Sequence, residues 1–128
     1  MHDVRLTGTA QRDLSGVMEW TVNALSTLAP QEFGERAARR YDALIKQALK
    51  DVGSDPERPG SKARPEIMIE GARTYHLEFS RTRASGARVN KPRYFLLYRH
   101  RDDSAIDVAR IFHESCWSAS FLNTIGER

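Results

Sequence analysis

The 128-residue chain holds a single cysteine, Cys116. An internal disulfide is therefore excluded, and so is a CxxC metal or redox motif. Cys116 beside Trp117 reads as a small packing residue rather than a nucleophile, because no oriented third group accompanies His113. No apolar run approaches the ~20 residues of a membrane-crossing helix. The opening residues Met1-His2-Asp3-Val4-Arg5 carry no signal-peptide core. These absences predict a cytoplasmic protein with no membrane partner. Gly53, Gly60, Gly71 and Gly86 each stand alone, so no glycine-rich phosphate loop is present. His76, His100 and His113 lack metal-ligand spacing, and the expectation is no metal and no cofactor.

What is present is ordinary in bulk. Hydrophobic content of 40% and charged content of 29% suit a soluble globular chain, and the length suits one domain over 1–128. Twenty Lys and Arg against 17 Asp and Glu leave a net charge of +3. That sign suits an acidic protein or a nucleic acid, and does not choose between them.

Along the chain, Val4 and Leu6 alternate with polar residues and predict a short strand. Thr9 is the expected N-cap of a first helix, with Asp13 in its first turn. Leu14, Val17, Met18, Thr21, Leu25 and Leu28 recur at helical spacing, with Trp20 off the stripe. Pro30 can open a second helix whose apolar face runs from Phe33 through Tyr41, Leu44, Ile45 and Ala48 to Val52. The short link implies an antiparallel helical hairpin. Ser54–Pro65 reads as a loop, and Ile67-Met68-Ile69 as a brief extra strand. Arg73–Arg81 alternates, with Tyr75, Leu77 and Phe79 expected on one face and Thr74, His76, Glu78 and Ser80 on the other. Thr82–Pro92 is a basic loop.

The two most telling segments are Arg93–Arg99, RYFLLYR, and Ile106–Trp117, IDVARIFHESCW, joined by Arg101-Asp102-Asp103-Ser104. The first is apolar at nearly every residue, so as a strand it must be covered on both faces. The second ends abruptly at His113-Glu114-Ser115. Trp117, Phe121, Leu122 and Ile125 then suggest a short C-terminal helix or tail. The expected architecture is α+β: a small antiparallel sheet in the order β-α-α-β-β-β, with the N-terminal helical hairpin packed on one face. The pairing of the first strand is left open.

In this order and at this length, RLTGTAQRDL (Arg5–Leu14), FGERAARRYDALI (Phe33–Ile45), RYFLLYR (Arg93–Arg99) and VARIFHES (Val108–Ser115) resemble the RelE/ParE toxin superfamily, and ParE more closely. The resemblance implies a toxin of a type II toxin–antitoxin system, of the class known for plasmid stabilisation. It further implies inhibition of DNA gyrase by protein contact and neutralisation by a ParD-like antitoxin. A homodimer or a toxin–antitoxin hetero-oligomer fits the same picture. The other branch of the superfamily, RelE, cuts messenger RNA on the ribosome.

RNA cleavage through the 2′-hydroxyl needs a base, an acid and cations around the phosphate. RelE-type enzymes carry basic residues on the second strand and an arginine on the third. Here those positions read His76, Glu78 and Phe95, so no catalytic set is expected. If the chain were a nuclease, His76, Glu78, Arg81 and His113 would be its acid, base and cationic groups, with Arg73 or Arg99 as further charge. Leu14, Val17, Trp20, Arg36 and Arg40 are the candidate antitoxin-binding residues. Trp117, Phe121 and Leu122 are the candidates to face gyrase.

Overall fold

In the computed structural model, residues 2–26, 31–84, 89, 91–102 and 104–116 are described, with side chains for all of these except 18–26, 31–34, 102 and 116. The elements are β1 (Asp3–Leu6), α1 (Gly8–Ser26), α2 (Gln31–Ser54), β2 (Ser61–Ala63), β3 (Ala72–His76), β4 (Tyr94–Asp102) and β5 (Ala105–His113). Short 3-10 helices follow β3 at Leu77–Ser80 and β5 at Glu114–Cys116. The class is α+β, with five strands ordered β1-β5-β4-β3-β2. The sheet is mixed rather than antiparallel throughout, because β1 runs parallel to β5. Val4 partners Ile106 and Leu6 partners Val108. Alternation tells which side of a strand is buried, but not which way its neighbour runs.

Thr7, not Thr9, caps α1. Its hydroxyl accepts the N–H of Ala10 at 3.1 Å and its carbonyl accepts that of Gln11 at 2.9 Å. The same residue donates its N–H to Val108 and its hydroxyl to Ala109 on β5. One threonine thus ends the β1–β5 ladder and starts the helix. Where β1 stops, Asp13 takes over the exposed edge of β5: it accepts the Ile111 N–H at 3.0 Å and both Nε and Nη2 of Arg110 at 2.6 and 3.1 Å. An open strand edge is thereby closed by a side chain.

The main core lies between the helices and the sheet. Ala10 and Val17 of α1 and Leu44, Ile45, Ala48 and Val52 of α2 meet Tyr75, Leu96, Tyr98, Ile106, Val108 and Ile111. Each fully buried aliphatic side chain here contributes roughly 1.5–3 kcal/mol relative to exposure. Val108 and Ile111 are an odd number of residues apart, yet share a face. The register explains this: Leu97 pairs with Arg110 and Tyr98 with Val108, so Ala109 is a bulge that resets the alternation.

The RYFLLYR run is covered on both sides, as its composition requires. Leu96 and Tyr98 face the helices, while Leu97 joins a second cluster with Ile67, Ala72 and Phe112, against which Phe95, Ile69 and Ala109 pack. The cover on this second face is not a helix but the segment 64–71. The extra strand expected at Ile67–Ile69 is absent there, and Ser61–Ala63 pairs with β3 instead. Ser61 is gripped by Arg73, whose Nε donates to its hydroxyl at 2.7 Å. The chain then turns through N–H donations from Ile67 to Arg64 and from Ala72 to Ile69.

The strand expected over Arg73–Arg81 stops at His76. The N–H of Glu78 donates to His76 Nδ1 at 3.1 Å and that of Arg81 to the Glu78 carbonyl, so the chain winds into a 3-10 turn. Leu77 is buried while Phe79 is 45% exposed, which breaks the face they were expected to share. Thr74 and His76, expected on a solvated face, are buried: Arg64 Nε donates to Thr74 Oγ1 at 2.8 Å, and His76 packs edge-on against Phe95.

Candidate functional site

Three strand ends meet where β3 stops, β4 begins and β5 ends. His76 pairs with Phe95, and Phe95 with Phe112, across the sheet. The His76 ring meets Phe95 edge-on at 4.7 Å, and Phe95 stacks on Phe112 at 5.4 Å. Because His76 Nδ1 already accepts the Glu78 N–H, the proton of the neutral ring belongs on Nε2. That nitrogen faces Glu114 Oε2 at 3.0 Å. The other Glu114 oxygen accepts from Arg93 Nη1 at 2.9 Å. An imidazole, a carboxylate and a guanidinium therefore stand in line.

The other histidine does not join them. His113 pairs with Tyr94, whose ring it meets at 5.2 Å, and Tyr94 meets Tyr41 of α2 at 5.7 Å. Tyr94 and His113 occupy the helix side, whereas His76, Phe95 and Phe112 occupy the opposite side. Neighbouring residues of a strand point to opposite faces, so the sheet separates the two imidazoles. His113 Nδ1 is engaged locally by the N–H of Ser115 at 3.0 Å and its hydroxyl at 2.7 Å. Glu78 sits on the 3-10 turn, not on β3, with its carboxylate 3.9 Å from His76 Nδ1 and its side chain 58% exposed. Arg81 closes that turn, and its Nε is buried without a hydrogen-bond partner. Of the four nuclease candidates, His76 and Glu78 are neighbours, and His113 is turned away from both. Glu114 and Arg93 are the partners that residue-type reasoning passed over. Glu114 stood in view as the middle of His113-Glu114-Ser115, but one residue of strand parity decides which of the three can reach His76.

Hydrogen bonds from His76 and Arg93 hold the Glu114 carboxyl below its ordinary pKa. A carboxylate with a depressed folded-state value adds stability that is full above its unfolded value and is lost as pH falls through the folded one. Wild type will therefore exceed Glu114→Gln in stability at neutral pH, and the gap will close as the pH drops below the usual carboxylate range. Urea midpoints of both proteins between about pH 3 and 7 measure this. A gap that stays constant with pH would count against the ionised pair. The side chain is about one-third exposed, at 35%, so solvent screening keeps the gap small.

The expected docking residues divide differently. Val17 is 5% exposed and belongs to the core, and Leu14 packs against that core half-buried. Both stand on the inward stripe of α1, so helical spacing marked their packing. Arg36 and Arg40 are exposed on α2. The side chain of Trp20, and all of Trp117, Phe121 and Leu122, lie outside the described residues. Among the described residues no group of three or more His, Cys, Asp or Glu is placed to hold a metal ion. No described helix is long and apolar enough to cross a membrane.

The second face of the sheet carries a groove of about 470 Å³. Ala72, Leu97 and Ala109 form its floor, Met68, Ile69 and Glu70 one wall, Thr7 and Thr9 the other, and Arg99 and Asp107 close one end.

The family model of the ParE toxin of the type II toxin–antitoxin system, parDE, matches residues 4–115. Two solved structures are similar. One is the RelBE2 toxin–antitoxin complex from Mycobacterium tuberculosis, at 22% identity and a TM-score of 0.47 over 88% of this chain and 96% of that one. The other is the chromosomal ParDE system from P. aeruginosa, at 17% identity and a TM-score of 0.54, again over 88% and 96%. Among curated proteins none matches.

Proposed function

The chain belongs to the ParE toxin family, and from that premise we propose that it inhibits DNA gyrase by protein–protein contact and is neutralised by a ParD-like antitoxin. At the coarser level it is a toxin of a type II toxin–antitoxin system of the ParE/RelE kind. A non-enzymatic mode is supported by the sheet that stands between His76 and His113. A phosphodiester cannot be flanked by a base and an acid that face opposite sides of a β-sheet. Exposed Arg36 and Arg40 offer cations to an acidic antitoxin. Trp20, together with the half-buried Leu14, is proposed for the same partner, and Trp117, Phe121 and Leu122 are proposed to face gyrase. A homodimer or a toxin–antitoxin hetero-oligomer, acting in plasmid stabilisation, is part of this reading.

The test is a supercoiling and DNA-cleavage assay with purified gyrase. The expected result is lost supercoiling with accumulation of cleaved DNA, reversed by the antitoxin. His113→Ala will alter folding or partner binding and reveal no nuclease rate.

One observation favours a second reading, a RelE-type ribosome-dependent endoribonuclease. His76, Glu114 and Arg93 bring a proton-transfer pair and one cation together at 3.0 and 2.9 Å. Unaffected gyrase, with ribosome-dependent messenger RNA cuts abolished by His76→Ala, would establish that reading in place of the first.

A further inference from the structure

We propose that the groove on the second face of the sheet seats an apolar, acid-bearing segment of the antitoxin, an inference that rests on the toxin–antitoxin reading above. A protein partner gains affinity chiefly by burying apolar side chains in a pocket, and charged rims steer it. Among the described residues the helical hairpin shows little apolar surface. Val17 is buried and Leu14 packs inward, while the outer face of α2 presents exposed Arg36, Arg39, Arg40, Lys46 and Lys50. Among the described residues the exposed large hydrophobic side chains are Met68, at 73%, and Phe79, at 45%. Met68 stands on the wall of the groove.

Segment 64–71 lies over this face, and its Met68, Ile69 and Glu70 line the groove. Towards β5 the bulged residue is an alanine, Ala109, and its small side chain leaves the floor low. Met68 and Ile69 over Ala72, Leu97 and Ala109 make an apolar slot of a volume that ordinary binding sites have. Met is also a side chain that adapts its shape to an occupant.

The charges give the occupant a direction. Arg99 Nη2 and Arg101 Nη1 approach the same carboxylate, Asp107, at 3.6 and 3.7 Å, too far for hydrogen bonds. Among the described residues these two guanidiniums, 42% and 41% exposed, share the Asp107 carboxylate. An incoming carboxylate at this end completes the set, and Arg prefers such planar partners. The segment that fits places its apolar side chain against Met68 and Ile69 and its acid against Arg99 and Arg101.

The experiment co-expresses the full chain with its cognate ParD-like antitoxin, the partner proposed above, and measures their affinity by calorimetry. Met68→Glu changes an exposed side chain and leaves the core intact. Arg99→Gln with Arg101→Gln removes the cationic end. Phe79→Ala, outside the groove, serves as the control. The expected result is a Kd raised about 10-fold or more by each groove variant, near the effect of losing one anchoring contact, and little changed by the control. Hydrogen exchange of the wild-type complex will show protection at 66–72 and 97–109. A complex that forms with unchanged Kd in both groove variants overturns the groove and leaves the toxin–antitoxin reading standing. No complex with the wild-type chain overturns both. Should a groove variant melt early, the exchange pattern of the wild-type complex decides: protection confined to the helices counts against the proposal.

Discussion

Asp51→Ala will lower folding stability by about 3 kcal/mol, near the cost of leaving buried charges without their partner. Asp51 lies on the last turns of α2 and is 2% exposed. Its Oδ2 accepts the Ser80 hydroxyl at 2.6 Å, and its Oδ1 accepts Arg83 Nε at 2.9 Å and Gln47 Nε2 at 3.0 Å. Arg58 Nη1 stands 3.4 Å away. Ser80 in turn meets the hydroxyl of Tyr75, a ring with no exposure, and Arg58 lies over that ring at 5.7 Å. One carboxylate thus ties α2 to the 3-10 turn after β3 and to the segments on either side of it. Removing it strands the Arg58 guanidinium, 20% exposed, and leaves one donor of the buried Ser80–Tyr75 hydroxyl pair without an acceptor, whereas Arg83, 56% exposed, regains water. That relief keeps the estimate at the lower end for broken buried pairs. The measurement is denaturant unfolding followed by circular dichroism. Arg5→Ala is the contrast, since Arg5 and Asp3 are 59% and 65% exposed, and its loss will stay under about 0.5 kcal/mol. Equal losses for the two variants would remove Asp51 from its place at the centre of this network.

Gly60→Ala will cost about 2–4 kcal/mol, for two separable reasons. Gly60 has φ +99°, a region that side-chain-bearing residues avoid at roughly 1–2 kcal/mol. A Cβ there would also stand 2.5–2.9 Å from Cγ and both Cδ atoms of the Phe79 ring, which overpacks the contact by a further ~1–3 kcal/mol. Truncating the ring separates the terms. In a double-mutant cycle, Gly60→Ala with Phe79→Ala will lose less than the sum of the single losses, by about 1–2 kcal/mol. Strict additivity would assign the whole effect to the backbone and leave the ring without a part in it.

Several features were readable before any coordinates. The two helices follow from apolar spacing, and the double cover of RYFLLYR from its lack of polar positions. The hairpin β4–β5 follows from the polar break at 101–104. Other features failed for reasons that can be stated. Tyr75, Leu77 and Phe79 alternate as a strand would, but His76 accepts the Glu78 N–H and turns the chain out of the sheet. Local hydrogen bonding of this kind competes with the ladder and leaves no trace in a hydrophobic pattern. Thr9 and Thr7 are equally good caps by composition; only Thr7 also reaches β5. Val17 and Leu14 carried the signature of an amphipathic face, which is the same whether the apolar stripe meets the core or a partner. At the candidate site, His113 was visible and Glu114 decisive, and the choice between them is one step of strand parity.

By itself the sequence determined the class, the helical hairpin, the doubly covered strand and the resemblance to ParE toxins, because each rests on local period or local motif. Only the tertiary structure decided the parallel pairing of β1, the separation of His76 from His113 by the sheet, the buried junction at Asp51 and the groove beside Met68. Those four depend on contacts between residues far apart in the chain, and the free energy of such a contact is set by which surfaces meet, not by the residues on either side of it.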